Sequence, residues 1–401
     1  MPGCWTGGLS ATTVNTVISV ADLAAGAADM GLLGRDGHPH RALLVVDLDR
    51  PATEAEVREA GRRAREGERL LVGRGVRAGH PLSAELDLTV VGTGSGQRDC
   101  VVVEEPYAEA ELLRDRVEAQ PQAALMLRQL LRMELPVRQA LEAESLAYST
   151  LLGSSGFRAW RESRAVRAVP VAEEPVLVDR EGGFLRITLN HPARRNSHSA
   201  QMRDALTAAV DLAVQDLSIR EVVLDANGPE FNSGGDLGEF GTVTDLATTH
   251  LIRTSAGAAR RLHAVRDRLT SRIHGHCIGA GIELPAFAGR VVAAPDTRIR
   301  LPELDLGLIP GAGGTVSIPR RIGRHRTLYL VLSGRELEVG TALEWGLVDS
   351  VSSRTPEVSS RTPEPDRAPG SATRLPPGPL QPPSTADPAR PEARAATRPP
   401  H

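Results

Sequence analysis

From residue 42 onward, short continuous apolar runs alternate with stretches whose apolar positions recur every three or four residues. That rhythm predicts buried strands followed by amphipathic helices. Residues 43–48 predict a strand, 54–66 a helix and 69–72 a second strand, with further strands at 86–91 and 100–103, so 41–107 reads as a small α/β unit. Residues 1–40 are rich in glycine and alanine, show weak periodicity and predict poor order. Over 108–170 the pattern turns helical, with Leu127, Leu130, Leu131 and Leu135 at helical spacing, a bend or restart at Pro136 and an interruption at 153–156. Strand 183–189, helix 200–216 and strand 221–225 open a third region, 171–351, in which α/β alternation continues. Residues 352–401 differ in kind: they hold 13 of the 29 prolines, and the run 351–357 repeats at once as 358–364. Such a tail has too little apolar surface to offset ordering entropy and is expected to be disordered.

Composition narrows the chemistry. With 41% hydrophobic and 24% charged residues over 401 positions, the chain can bury a sizeable core. The net charge of −3 gives no sign of nucleic-acid binding, and no apolar run approaches membrane-spanning length. Three isolated cysteines, Cys4, Cys100 and Cys277, argue against a disulfide framework or a structural metal and favour a reducing, cytoplasmic setting. All 47 basic residues are arginine. A phosphate-loop lysine, a Schiff base and a pyridoxal-phosphate site are thereby excluded.

Several local patterns carry little. Gly92-Thr-Gly-Ser-Gly96 follows a predicted strand but precedes another, so a hairpin turn suits it better than a dinucleotide loop. His274 and His276 lack a carboxylate or cysteine at ligand spacing and read as strand-packing or hydrogen-bonded histidines. Arg260, Arg261, Arg266 and Arg268 read as a solvated helix face, with some of them candidates to meet a ligand phosphate.

Three segments of the third region carry chemistry. In Pro229-Glu-Phe-Asn-Ser-Gly-Gly-Asp236, paired glycines after a strand can expose a backbone N–H, as half of an oxyanion hole requires. In His274-Gly-His-Cys-Ile-Gly-Ala-Gly-Ile-Glu-Leu284, a short strand runs through glycines into a predicted helix. Its first amides are free to donate, and Glu283 lies in the first turn. Leu301-Pro-Glu-Leu-Asp-Leu-Gly-Leu-Ile-Pro-Gly-Ala-Gly-Gly-Thr315 sets Glu303 beside a rigid proline and ahead of a glycine-rich turn.

In this order and at these separations, the three segments resemble the crotonase (enoyl-CoA hydratase/isomerase) superfamily over about residues 176–351. Leu185-Arg-Ile-Thr-Leu-Asn-His-Pro192 with Asn196, and the stretch from Ser333-Gly334 through Ala342 to Gly346-Leu-Val348, are similar too. The resemblance implies an α/β fold with a ββα spiral core, here preceded by the helical module and the small α/β unit. It also implies an acyl-CoA substrate that brings the coenzyme A with it, so that no separate cofactor or metal is needed. By resemblance, the N–H groups of Gly235 and Ala280 form the oxyanion hole. Ala280 replaces the usual glycine, a mild departure because only the backbone acts. Glu283 and Glu303 occupy both carboxylate positions used by hydratases. Ser233, Gly234, Asp236, Asn196, Gly279, Gly281 and Gly311 are the accompanying candidates for substrate and CoA contact. A homo-oligomer, trimer or hexamer, and a place in fatty acid metabolism are further expectations.

A 2-enoyl-CoA hydratase is the leading expectation. An enoyl-CoA isomerase, a cofactor-independent dioxygenase or decarboxylase, and a non-catalytic CoA-binding scaffold are the alternatives. In the non-catalytic reading, Glu283 merely complements a helix N-terminus and Glu303 is a loop carboxylate. Residues 122–160 look like the helical module that usually follows the Gly-Leu-Val segment. Their position before the core predicts a permuted arrangement in which they cover the acyl pocket, within the chain or across a subunit interface. The 41–107 unit is expected to be a degenerate half-copy of the same fold.

Overall fold

The computed structural model describes residues 16–353, apart from 95 and 166–170. The readings of residues 1–15 and of the 354–401 tail lie outside the described residues.

Upstream, β1 (Val17–Ser19), β2 (Leu43–Asp47), β3 (Leu70–Arg77), β4 (Leu88–Thr93) and β5 (Val101–Val102) form one sheet in sequential order, all parallel. Alternate residues of β2 serve two different cores. Leu44 and Val46 pack with α1 (Val20–Ala24) and α2 (Glu54–Glu66), while Leu43 and Val45 face the main core of the molecule. A strand covered on both faces is apolar along its buried length, which is why 43–46 reads as an unbroken run ahead of Asp47. A capping box closes the start of α2, with Thr53 N–H donating to Glu56 at 2.7 Å and Glu56 N–H to Thr53 Oγ1 at 3.2 Å.

Three expectations change here. Order reaches back to Val17, because β1 pairs with β2 although its three residues are too few to show a period. The Gly92–Gly96 stretch is no hairpin, since β4 and β5 run parallel and parallel neighbours need a crossover. The strand expected over 100–103 is limited to Val101–Val102.

Four helices follow: α3 (Pro106–Ala119), α4 (Pro121–Arg132), α5 (Val137–Leu152) and α6 (Ser155–Glu162). Prolines open α3 and α4 at first-turn positions, and Pro136 is the residue from which α5 restarts. Beyond them, β6 (Val176–Glu181) and β7 (Phe184–Leu189) pair antiparallel. They lead through α7 (Ala200–Gln215), β8 (Glu221–Ala226), α8 (Leu246–Ala256) and α9 (Ala259–Ala264) to β9 (Leu269–Ile273) and β10 (His276–Ile278). Next come α10 (Ala280–Glu283), β11 (Arg290–Ala293), β12 (Arg298–Arg300), α11 (Gly314–Ile322), α12 (Arg324–Ser333), β13 (Leu337–Glu338), α13 (Val339–Trp345) and β14 (Ser350–Val351). The large sheet runs β14-β11-β9-β8-β7-β6, again monotonic in sequence, beside a small sheet β10-β12-β13.

The two halves are joined through α12, which is buried along its length. Arg324 donates to the carbonyls of Leu86 at 3.0 Å and Ala84 at 2.6 Å, and Tyr329 donates to Glu109 at 2.9 Å. No helix among the described residues is long and apolar enough to cross a membrane.

Candidate active site

The loop after β8 is knitted to β10. Ile278 N–H donates to the Asn232 carbonyl at 3.0 Å, and Asn232 pairs with Cys277 in a parallel bridge. Asn232 Oδ1 accepts from Gly234 N–H at 2.8 Å and turns the chain through Gly234, whose φ of 87° suits glycine. Ser233, Gly234 and Gly235 thereby line one side of a 670 Å³ cavity, and Gly279 and Ala280 line the facing side. Among the described residues, neither the Gly235 nor the Ala280 N–H has a backbone or side-chain acceptor. The helix expected after Gly279 is a single turn, so the donor there is the individual N–H rather than a sizeable dipole.

Glu283 is buried at the end of that turn, and its Oε2 accepts from Ala312 N–H at 2.8 Å and Gly314 N–H at 2.9 Å. Glu303 opens a short turn, 303–306, and its Oε2 is sealed from solvent with no hydrogen-bond partner among the described residues. A methyl group placed on Gly279 would sit 2.6 Å from Glu303 Oε1 and 3.7 Å from Glu283 Oε1. The two carboxyl groups therefore converge on one point next to the free amides. Burial pushes Glu283 up to about 7 against the pull of its two amide donors. Burial, then the neighbouring charge of Glu283, holds Glu303 well above the ordinary carboxylate range.

Helix α5 supplies a third glutamate that sequence reasoning missed. Glu144 Oε1 accepts from Gly313 N–H at 2.8 Å, and its Oε2 from Thr315 N–H at 2.9 Å and Thr315 Oγ1 at 2.7 Å. Burial, followed by the charge of Glu283, pushes it up to about 8. A signal was present: Glu144 falls on the same stripe as Leu141, Tyr148 and Leu152, all of which line the cavity. An acid on the apolar face of a helix is a candidate for function, whereas Glu142 pairs with Arg138 in the ordinary surface manner.

The rest of the wall is largely apolar and aromatic. Trp160 stands 6.1 Å from Phe240, centroid to centroid, and Arg253 stacks over Tyr148 at 4.6 Å. The Tyr148 ring lies so close to Gly311 that a Cβ there would approach to 2.3 Å, which explains that glycine. Arg138, Arg164, Arg203 and Arg260 also line the cavity. The other arginines of the expected solvated face are engaged: Arg261 pairs with Asp211 at 2.7 Å, and Arg268 binds the Ala213 carbonyl at 2.5 Å.

Three of the candidate contact residues do not line the cavity. Asn196 is fully buried and engaged, its Nδ2 donating to Asn227 O at 2.8 Å and Glu230 O at 3.0 Å while Oδ1 accepts from His191 N–H at 2.7 Å. It holds the 227–232 loop in place. Asp236 points the other way, to Arg194 at 2.8 Å and Ser197 at 2.9 Å. Burial alone would raise its pKa, but these partners and Gly238 N–H outweigh it and leave the carboxyl below its usual value. Gly281 is there for packing, since a Cβ would lie 2.4 Å from the Asn232 carbonyl oxygen. His274 and His276 serve the loops as expected, the first bonded to Gly228 O at 3.0 Å and the second to Glu230 at 2.7 Å.

The sequence profile of the enoyl-CoA hydratase/isomerase family matches residues 179–363. A 2,3-dehydroadipyl-CoA hydratase of Escherichia coli is 36% identical over 176 residues, which are 44% of this chain and 68% of that protein. A Bacillus subtilis protein named "Probable enoyl-CoA hydratase" is 30% identical over 166 residues, 41% of this chain and 64% of that one. The chain thus spans about two thirds of the length of these relatives. An enoyl-CoA hydratase structure from Mycobacterium smegmatis, 29% identical, covers 45% of this chain and 71% of its own, with a TM-score of 0.41.

Proposed function

The chain belongs to the enoyl-CoA hydratase/isomerase family of enzymes, and from that premise we propose that it adds water across the conjugated double bond of a 2-enoyl-CoA thioester. The observation that carries this reading is the convergence of Glu283 and Glu303 beside two free amides. The two carboxyls are not equivalent. Glu283 receives two N–H donors that favour its ionised form, while Glu303 has an oxygen without a donor and meets the Glu283 charge. The environments push the pair toward one carboxylate and one carboxylic acid at neutral pH. Glu283 takes a proton from water as its oxygen bonds to C3. The electron pair moves through C2 onto the thioester oxygen, which the Gly235 and Ala280 N–H groups receive. Glu303 then delivers its proton to C2. Each aligned donor is worth roughly 3 kcal/mol of barrier in sites of this kind.

The acyl group faces Trp160, Phe240 and Tyr148, and the arginines lining the cavity suit the coenzyme phosphates. Purified protein with crotonyl-CoA should lose the enoyl-thioester absorbance. With a 3-enoyl-CoA, a gain of absorbance would instead indicate an isomerase, and silence with both would indicate a scaffold. Ala280→Pro tests the oxyanion hole, because the first position of a helical turn tolerates proline and the N–H is removed. Gly279, at φ 50° and ψ −117°, lies outside the region a residue before proline prefers, so CoA binding is measured alongside as the control for the loop. Turnover is expected to fall ~10²-fold with CoA binding kept. An unchanged rate removes Ala280 from the assignment.

A further inference from the structure

We propose that Glu144 is a positioning residue for this reaction: reaching in from the helix upstream of the core, it fixes the backbone turn that holds Glu283. The inference rests on Glu283 and Glu303 being the acid–base pair.

The geometry lies in four consecutive amides. The N–H groups of Ala312 and Gly314 donate to Glu283, at 2.8 and 2.9 Å. Those of Gly313 and Thr315, between and after them, donate to Glu144 at 2.8 and 2.9 Å. Two carboxylates from distant parts of the chain thus grip one turn of backbone from opposite sides, and neither can shift without tilting the donors of the other. The Gly313 φ of 107° is what lets successive amides point to alternate sides. The fit is close: a Cβ on Gly314 would lie 2.6 Å from Glu283 Cγ, and one on Gly313 would lie 2.5 Å from the Phe287 ring.

The same arrangement brings two carboxyl groups together. The charge of Glu283 adds to burial in holding Glu144 up at about 8, above the value of about 7 for Glu283, so Glu283 ionises first and Glu144 stays protonated while it does. The remaining charged or titratable groups facing them are Glu303 on its turn, Tyr148 on α5 and Arg253 on α8, with Arg300 of β12 acting on Glu303. None forms an ion pair with Glu144 or Glu283 among the described residues, so the hydrogen-bond donors of residues 312–315 are what hold both carboxyl groups in place.

The test is the split of kcat against KM on crotonyl-CoA for Glu144→Leu and Glu144→Gln in the full chain, with melting temperature alongside. Leucine removes the acceptors of Gly313 N–H, Thr315 N–H and Thr315 Oγ1, whereas glutamine keeps one acceptor oxygen. In Glu144→Leu kcat is expected to fall about tenfold with KM within about twofold of the parent, because the displaced group is the base and not the thioester pocket. Glu144→Gln is expected to recover part of that loss. A folded Glu144→Leu with the parental kcat overturns the proposal, since a merely structural role lowers the melting temperature and leaves kcat per folded molecule unchanged. Where Glu144→Leu does not fold, Thr315→Val serves: it removes the hydroxyl donated to Glu144, leaves all three glutamates, and is expected to lower kcat by a smaller amount at the parental KM. An unmoved kcat there overturns the proposal equally. Glu283→Gln separates the two readings: if it keeps near-parental turnover the acid–base assignment falls, whereas if it is inactive and the Glu144 and Thr315 variants keep the parental kcat only the positioning role falls.

Discussion

Two sheets of this molecule, one all-parallel and the other parallel except for its β6–β7 pair, run their strands in sequence order, yet they treat buried charge in opposite ways. Between residues 16 and 132 each buried acid meets an arginine: Asp87 takes Arg128 at 3.0 Å and Arg132 at 2.6 Å, Asp47 takes Arg74 at 3.4 Å, and Glu109 takes Arg335 at 2.5 Å. Around the cavity, Glu144, Glu283 and Glu303 have no cation at ion-pair distance among the described residues; burial raises all three, and the charge of Glu283 adds to it for Glu144 and Glu303. A paired buried charge is spent on holding elements together. An unpaired one keeps its proton exchangeable near neutral pH, which structure alone does not require. Asp236 confirms the rule from within the catalytic half, since its pairing with Arg194 accompanies a turn away from the cavity.

The largest expected effect comes from separating the halves. A fragment spanning 172–352 lacks α5 and with it Glu144, Tyr148 and one wall of the cavity, and it exposes the buried face of α12. It is expected to show neither cooperative unfolding nor turnover; a soluble, fully active fragment would dissolve the comparison. Next, Glu283→Gln and Glu303→Gln should each lower turnover on crotonyl-CoA by at least ~10²-fold, with CoA binding nearly intact by calorimetry. Near-parental rates in both would put these glutamates in the same structural class as Asp87.

On the upstream side the outcome should invert. Asp87→Ala strands Arg128 and Arg132 and should cost about 3–5 kcal/mol in denaturant unfolding, while turnover per folded molecule is retained. A loss of turnover without a loss of stability would show that the five-stranded upstream sheet, and not only α5, takes part in the chemistry. The smallest effect concerns pH. A carboxyl raised in the folded state binds more protons there than in the unfolded chain, so stability falls as pH rises from the ordinary glutamate range through the folded value. For Glu283, raised to about 7, that window runs from about 4.5 to about 7 and above. Glu303→Gln and Glu283→Gln should therefore flatten the decline of melting temperature between pH 5 and 8 and melt above the parent protein at pH 8. A steeper decline in the variants would contradict the raised values.

Much of this was legible in the chain itself. The helix over 54–66, the apolar run 43–46 of β2, the restart at Pro136 and the glycine-flanked loops all act through neighbours a few residues apart, and local sterics and burial period decide them. Glu283 and Glu303 stood out because each sits beside glycines or proline in a recognisable segment. What the chain could not disclose was which distant groups would meet. Glu144 and Gly313 lie 169 residues apart, and nothing local to either announces their hydrogen bond. Asn196 and Asp236 belonged to the right segments and still faced away, because a side chain's direction depends on which partner the folded loop offers it. The glutamate pKa values, too, exist only once the cavity closes: desolvation and like-charge repulsion are properties of the assembled space, not of the residues that line it.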